Sequence, residues 1–313
     1  MRLLVTGSTG TLGRNLLRDS RKLGYELLTP SRLEYDLLDV QSVRAMYTTL
    51  RPDAVIHVAA TVGGIQASID KPVRFLVENT MISLNVINEA HNAGINKLIN
   101  IASSCMYPRN QSGTLSPSML LTAPLEPTNE GYALAKITSW KLTDFIRIEQ
   151  PEREYVTLVP CNLFGLYDNF HPLYSHMVQS AIIKSVDAVE RGADTVLVWG
   201  NGRARREFMF MEDMADFIWT FLPRLNELPS LINVGVGDDH TVTEYYEAVA
   251  HATGFSGSFV YDPSKPHGME RKLLDVTAQT ALGWRPRTSL AEGLRKTVEY
   301  YLAHRGNDPR REF

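Results

Sequence analysis

The chain of 313 residues is 44% apolar and 21% charged with a net charge of −3, enough for one large core or two unequal domains and too balanced to indicate a nucleic-acid groove. No apolar run approaches the ~18 residues that span a bilayer, and because strand-like sequence begins at Arg2, leaving no room for a cleavable leader, a cytoplasmic protein is expected. Cys105 and Cys161 are the only cysteines and neither has a His or Cys at metal-ligand spacing, so neither a disulfide framework nor a metal site is expected.

From the amino terminus, short β-branched runs at 3–6, 27–29, 54–58, 97–102 and 155–160 alternate with helical patterns at about 11–24, 41–50, 74–93 and 131–149. Such alternation predicts an α/β fold, a Rossmann-type doubly wound parallel sheet with helices on both faces. Most of the runs are continuously apolar, as strands covered on both faces must be. Beyond Asn162 the pattern loosens into a helix at about 175–190, a strand at 195–199, an Asp213-led helix to about 226, a strand at 231–234 and an amphipathic helix at 290–305. Residues 1–165, joined by about 207–235, are expected to form the Rossmann domain, and 166–206 with 236–313 a smaller C-terminal α/β domain that takes the substrate.

Gly7-Ser-Thr-Gly10-Thr-Leu-Gly13 falls where the first strand gives way to the first helix, the context of a dinucleotide fingerprint. The glycines let backbone approach a pyrophosphate at the positive end of that helix. The second strand ends Leu27-Leu-Thr-Pro-Ser-Arg32, without the acidic residue that would hold a ribose 2′-hydroxyl, and Arg32 suits a 2′-phosphate, so NADP is expected over NAD. Asp39 is expected at the adenine end. Thr11 and Leu12 of the loop, Ala59 and Ala60 after the third strand, and Asn162 and Leu163 after the fifth complete the expected cofactor contacts.

The fourth strand runs into Ser103-Ser-Cys105-Met-Tyr-Pro108 at the carboxyl end of the sheet, where doubly wound folds bind ligands. Farther on, Tyr132 precedes Lys136 by four residues, so both lie on one helical face, and a neighbouring ammonium is expected to lower the phenol's pKa until it serves as a general acid or base. Alone, such a pair is commonly an exposed helical contact. Combined with Ser103 and the glycine loop, it resembles the catalytic triad of short-chain dehydrogenases/reductases.

A narrower resemblance covers nearly the whole length: the chain is similar to GDP-L-fucose synthases, NADPH-dependent 3,5-epimerase/4-reductases of the extended short-chain family. It is carried by Val62-Gly-Gly-Ile65, Ser103–Pro108, Pro124–Glu130, Tyr132–Lys136, Asp168–Pro172, Ser175-His176, Val198-Trp-Gly200, Arg206-Glu-Phe208 and Arg271–Asp275. The resemblance implies Ser103, Tyr132 and Lys136 for reduction at sugar carbon four, with Lys136 and Asn162 also at the cofactor. It implies Cys105 and His176 for inversion at carbons three and five, and Asn162, His176, Lys184, Trp199, Arg206, His267 and Lys272 at a GDP-linked keto-deoxy sugar. It also implies a homodimer. The roles suit the chemistry, since a ketone at carbon four acidifies the neighbouring C–H bonds and inversion there needs a base on one side and an acid on the other.

Lys184 stands where the family usually has Arg, His267 where it has Asp, and Thr61 where a Lys precedes Val62-Gly-Gly-Ile65. These differences leave a related GDP-linked 4-keto-deoxy-heptose or dideoxy-hexose as the alternative substrate. A 4,6-dehydratase is disfavoured because Ser103–Cys105 brings no acidic pair beside the catalytic hydroxyl, and a 4-epimerase because the second strand does not favour NAD. A non-catalytic NADP-binding scaffold would be expected to lack Ser103, Tyr132 or Lys136, and all three are present. His171 and Cys161 are expected to be structural.

Overall fold

Strand and helix alternate through β1 (Arg2–Thr6), α1 (Thr11–Asp19), β2 (Glu26–Leu28), α2 (Val40–Leu50), β3 (Ala54–His57), α3 (Ile65–Asp70), α4 (Pro72–Asn92), β4 (Lys97–Ile101), α5 (Glu130–Glu149) and β5 (Glu154–Pro160) in the computed structural model, which describes residues 1–19, 24–265 and 268–305. Then come β6 (Asn162–Phe164), α6 (Met177–Arg191), β7 (Thr195–Trp199), β8 (Arg205–Arg206), β9 (Phe208–Phe210), α7 (Met211–Phe221), β10 (Leu231–Val234), β11 (His240–Thr241), α8 (Val242–Thr253), β12 (Ser258–Asp262), β13 (Arg271–Lys272), α9 (Thr277–Ala281) and α10 (Leu290–His304).

Six parallel strands form one sheet in the order β10-β5-β4-β3-β1-β2. The chain builds outward from β1 to β2 and then returns to the other side of β1 to lay down β3. The loops after β1 and β3 therefore part at the carboxyl edge and leave a crevice there. Alternation along each strand sends neighbours to opposite faces. Leu4, Val55, Leu98 and Tyr155 pack on Val43, Met46, Val86 and Ile87 of α2 and α4. Leu3, Val5, Ile56, Ile99 and Val156 pack on Leu12, Leu16, Met214, Phe217 and Ile218 of α1 and α7. Each such Leu, Ile or Val contributes about 1.5–3 kcal/mol by burial.

A separate apolar cluster joins α6, α8 and α10 through Val178, Ile182, Val186, Tyr245, Val249, Leu294 and Val298. Beside it β7 pairs with β12, and β8 lies between β11 and β13.

Two helix boundaries differ from the pattern in the sequence. Asp213 does not lead its helix, which starts at Met211; its buried carboxylate instead accepts from the Arg287 and Thr288 N–H groups at 3.0 and 3.2 Å. That helix leaves the α form at Phe221 and continues as a 3-10 turn over Leu222–Glu227, because Pro223 has no N–H and its ring collides with the carbonyl one turn back. The first helix is described to Asp19; the remainder of its expected span, 20–23, lies outside the described residues. Among the described residues no helix is long and apolar enough to cross a membrane.

Candidate active site

The loop after β1 turns on Gly7, whose φ is +71° and where a Cβ would stand 2.6 Å from the Ala59 nitrogen. Only glycine fits such a turn against the neighbouring loop. Gly10 closes it by donating to the Gly7 carbonyl at 3.0 Å. Gly13 does a different job from its two companions: it does not line the cavity, and a Cβ there would lie 2.2 Å from the Gly7 carbonyl oxygen, so its role is to let α1 seat against the loop. Thr11 and Leu12, at the positive end of α1, line the cavity together with Ala59 and Ala60.

At the rim, Ser31 is tied into its turn by Glu34, which accepts from the Ser31 N–H at 2.7 Å and its hydroxyl at 2.8 Å, whereas Arg32 lines the cavity and is exposed. Opposite, Glu78 of α4 accepts from the Thr61 hydroxyl at 2.6 Å and from Arg74 at 2.9 Å. Burial opposes ionisation of Glu78, but Thr61, Arg74 and the charge of Arg32 together hold its carboxyl below the ordinary range. Asp39 was expected at the adenine end. It lies outside the cavity, exposed, capping α2 by accepting from Gln41 N–H at 2.9 Å, and Asp36, Leu37 and Leu38 line the cleft in its place.

Ser103 follows β4 in extended conformation and caps a single 3-10 turn, its hydroxyl accepting from the Cys105 N–H at 3.2 Å. Tyr132 and Lys136 occupy the first turns of α5, the Lys136 ammonium 5.7 Å from the centre of the Tyr132 ring. Its hydrogen bond goes to the Ile101 carbonyl, at 2.8 Å, and burial pushes its pKa down to about 8. The expected lowering of the phenol is corrected here: burial first, and Cys105 second, raise the Tyr132 pKa. The lysine is thus engaged by backbone at the strand-to-turn junction, and the phenol of Tyr132 is held neutral.

The half-buried Cys105 sulfur accepts from Asn129 Nδ2 at 3.2 Å and from Lys272 Nζ at 3.3 Å. His176 stands at the cap of α6. Its imidazole is open to the cavity yet encircled by protein, and this loss of water, with the Lys272 charge, pushes its pKa down and keeps it neutral near pH 7. The segment carrying it is seated on the loop after β3: Gly64 N–H donates to the Tyr174 carbonyl at 2.7 Å, and a Cβ on Gly64 would lie 2.4 Å from the Ser175 carbonyl oxygen. His171 builds the same segment, its Nδ1 accepting from Leu173 and Tyr174 N–H groups at 3.1 and 3.2 Å.

On the far side, Trp199 ends β7 with the ammonium groups of Lys184 and Lys265 at 5.6 and 5.8 Å from its ring. Lys184 also donates to the Leu197 carbonyl at 2.9 Å. Arg206 and Lys272 are register partners across β8 and β13 and both line the cavity. Their neighbours Arg205 and Arg271 converge instead on the buried Asp239 carboxylate. Asn162 lines the cavity while donating to the Glu207 carbonyl at 2.8 Å, and Leu163 lies beside it. His267 lies outside the described residues. Cys161 is buried in the core cluster and also borders the cavity beside Asn162.

One cavity of about 680 Å³ thus takes in Gly7, Arg32, Tyr132, Cys105, His176 and Trp199. Asn129, Glu78 and Gly64 are the residues that sequence patterns passed over. Asn129 and Gly64 sit inside motifs that drew attention to other members, and Glu78 has no signal beyond an ordinary helical i,i+4 pair with Arg74.

Residues 3–235 match the NAD dependent epimerase/dehydratase family. The chain is 46% identical over 308 residues to a GDP-L-colitose synthase of Yersinia pseudotuberculosis, the alignment covering 98% of this chain and 100% of the relative. It is 44% identical over 307 residues to a GDP-L-fucose synthase of Azorhizobium caulinodans, covering 98% and 97%. Among solved structures, MlghC, a GDP-mannoheptose C4 reductase from Campylobacter jejuni with NADP bound, superposes with a TM-score of 0.87 at 27% identity, covering 96% of this chain and 98% of that one.

Proposed function

The chain belongs to the NAD dependent epimerase/dehydratase family, and from that premise we propose that it is an NADPH-dependent epimerase/reductase converting GDP-4-keto-6-deoxy-mannose to GDP-L-fucose. Inversion occurs at carbons three and five and reduction at carbon four. What carries the reading is that Ser103, Tyr132, Cys105 and His176 face one cavity that also holds the glycine loop and Trp199.

The cofactor end fits a dinucleotide. Gly7 leaves bare backbone at the positive end of α1, and Arg32 is the exposed cation where a 2′-phosphate would lie. When bound, NADPH supplies the hydride for carbon four. Tyr132 gives its proton to the oxygen there, and Ser103 steadies the same oxygen while it carries enolate charge. Cys105 and His176 serve the flanking carbons from opposite sides. Arg206 offers a planar fork to a diphosphate and Trp199 a flat face to the base or sugar. The domain division at about 165, with 207–235 returning to the Rossmann part, assigns NADP to the first domain and the sugar nucleotide to the second. A cytoplasmic location and a homodimer belong to the same proposal. Its dimer face is the outer surface of α4 and α5, where Val73, Val77, Met81, Leu134, Phe145 and Ile148 are exposed.

The GDP-L-colitose synthase relative, with Lys184 and Thr61 at the cavity, favours one second reading, another GDP-linked 4-keto-deoxy sugar on the same machinery. The test is NADPH turnover on a panel of GDP-linked 4-keto sugars, with products identified by mass and NMR. GDP-L-fucose from the mannose-derived substrate is the expected product. Preference for a heptose or dideoxy analogue selects the second reading, and no turnover on any of them overturns both. In the same assay NADPH should exceed NADH by more than tenfold in kcat/KM, about 1.4 kcal/mol, and Arg32→Ala should remove most of that gap.

A further inference from the structure

Lys272 is 8% exposed, and a buried ammonium is costly unless something nearby compensates its charge. Among the described residues no carboxylate comes within ion-pair distance of it; the acceptor its Nζ reaches is Cys105 Sγ, at 3.3 Å. An ammonium has only donors, so the sulfur accepts. A second donor, Asn129 Nδ2, stands 3.2 Å from the same sulfur. Two N–H donors, one cationic, converging on one sulfur is the arrangement that favours a thiolate. Arg206 and Tyr132 are titratable groups that feel the charge of Cys105, and His176 feels that of Lys272.

We propose that Lys272 is a positioning residue that holds the Cys105 sulfur as the thiolate base of the epimerisation, in addition to any contact it makes with the sugar nucleotide; this rests on the epimerase reading above. The thiolate takes the proton from the carbon beside the ketone, and the electron pair of that C–H bond becomes the enolate, with its charge on the ketone oxygen. His176 gives the proton of its neutral ring N–H to the opposite face of the same carbon while its other ring nitrogen takes a proton from water, which restores the ketone with inverted configuration, and the proton released from sulfur neutralises the hydroxide left behind. Lys272 neither gives nor takes a proton in these steps. The same ammonium that draws a negative charge onto Cys105 keeps a positive one off His176, so one buried cation distinguishes the two groups that flank the sugar.

The test needs no substrate. The full-length protein is alkylated with iodoacetamide across a pH series and Cys105 modification followed by peptide mass mapping, with the buried Cys161 as the marker of an intact fold. Cys105 should be modified with a midpoint at least one pH unit below the ordinary thiol value of about 8.5. Lys272→Met should raise that midpoint by a unit or more, slowing modification at pH 7 roughly tenfold, and Lys272→Arg should restore most of the loss. A wild-type midpoint at or above 8.5, as expected of a neutral thiol donating to Asn129 with its amide turned over, overturns the proposal whatever the variants do. So does an unchanged midpoint in Lys272→Met. Failure of the functional reading shows separately, as a low midpoint in a protein that turns over none of the GDP-linked sugars.

Discussion

In the proposed reaction Tyr132 gives a proton to an oxygen that becomes an alkoxide, and a phenol whose pKa is raised by burial is held in the form that can do so. Replacing it with Phe should therefore cut NADPH oxidation by about 10²–10⁴-fold while solvent deuterium still enters the keto sugar through Cys105 and His176. Loss of both together would mean that Tyr132 is required for the enolate as well. His57 offers a different test at the same scale. It is buried between Thr6 Oγ1 at 2.8 Å and Ser83 Oγ at 3.3 Å, and burial with the charge of Lys136 pushes its pKa down to about 3. Between about 6.5, the unfolded value, and about 3 the unfolded chain binds a proton that the folded one refuses, so stability falls as pH is lowered through that window, by up to about 1.4 kcal/mol per unit. The unfolding free energy of His57→Asn should fall less steeply than the wild type's between pH 6 and 4; parallel curves would remove His57 from the acid limb. What sequence patterns reveal at this scale is governed by reach along the chain. Ser103 and the Tyr132–Lys136 pair stand out because each sits at a fixed distance from a strand end or within one helical turn. Lys272 and Cys105 are 167 residues apart, and nothing local encodes their contact. Likewise a hydrogen bond from Lys136 to a strand carbonyl leaves no trace in spacing, which is why the pair alone suggested a lowered phenol.

Elements place these groups through their ends. The parallel sheet and its flanking helices were legible because doubly covered strands are written as continuous apolar runs. Pro223 hides inside an apolar periodic stretch and stops α7 one turn earlier than that periodicity suggests. The loop from β3 to α3 is the least legible joint, since its work is done by an absent side chain. With the Gly64 N–H donating to the Tyr174 carbonyl at 2.7 Å, the loop at the carboxyl edge of the sheet and the segment leading to the His176 cap of α6 are fixed to one another. In Gly64→Ala the added Cβ, 2.4 Å from the Ser175 carbonyl oxygen, must push residues 174–176 away. Deuterium uptake at the carbon served by His176 should drop at least tenfold, while NADPH affinity, measured by fluorescence titration, stays within about threefold. Uniform loss of both would indicate a folding defect and not a displaced histidine.

For the whole molecule, the apolar side chains left bare on α4 and α5 are the face of the proposed dimer. Phe145 is 53% and Ile148 68% exposed, and charge placed there should split a dimer without touching the cavity. Sedimentation of Phe145→Glu/Ile148→Glu should give monomers where the wild type gives dimers; an unchanged dimer moves the interface elsewhere, and a monomeric wild type removes it. The sheet has its own timetable as well. β10 takes its place beside β5 only after β6 to β9, α6 and α7 have been made. On the ribosome, then, β5 waits with its outer hydrogen-bonding edge bare for some 70 residues of synthesis, from Pro160 to Leu231. During that interval the nascent protein presents the unpaired strand that promotes misassociation. Because the missing strand arrives only after α6, the first helix of the apolar cluster shared with α8 and α10, the sheet cannot be completed before that cluster has begun to be made. The two halves of the enzyme are thus bound together in the order of their birth.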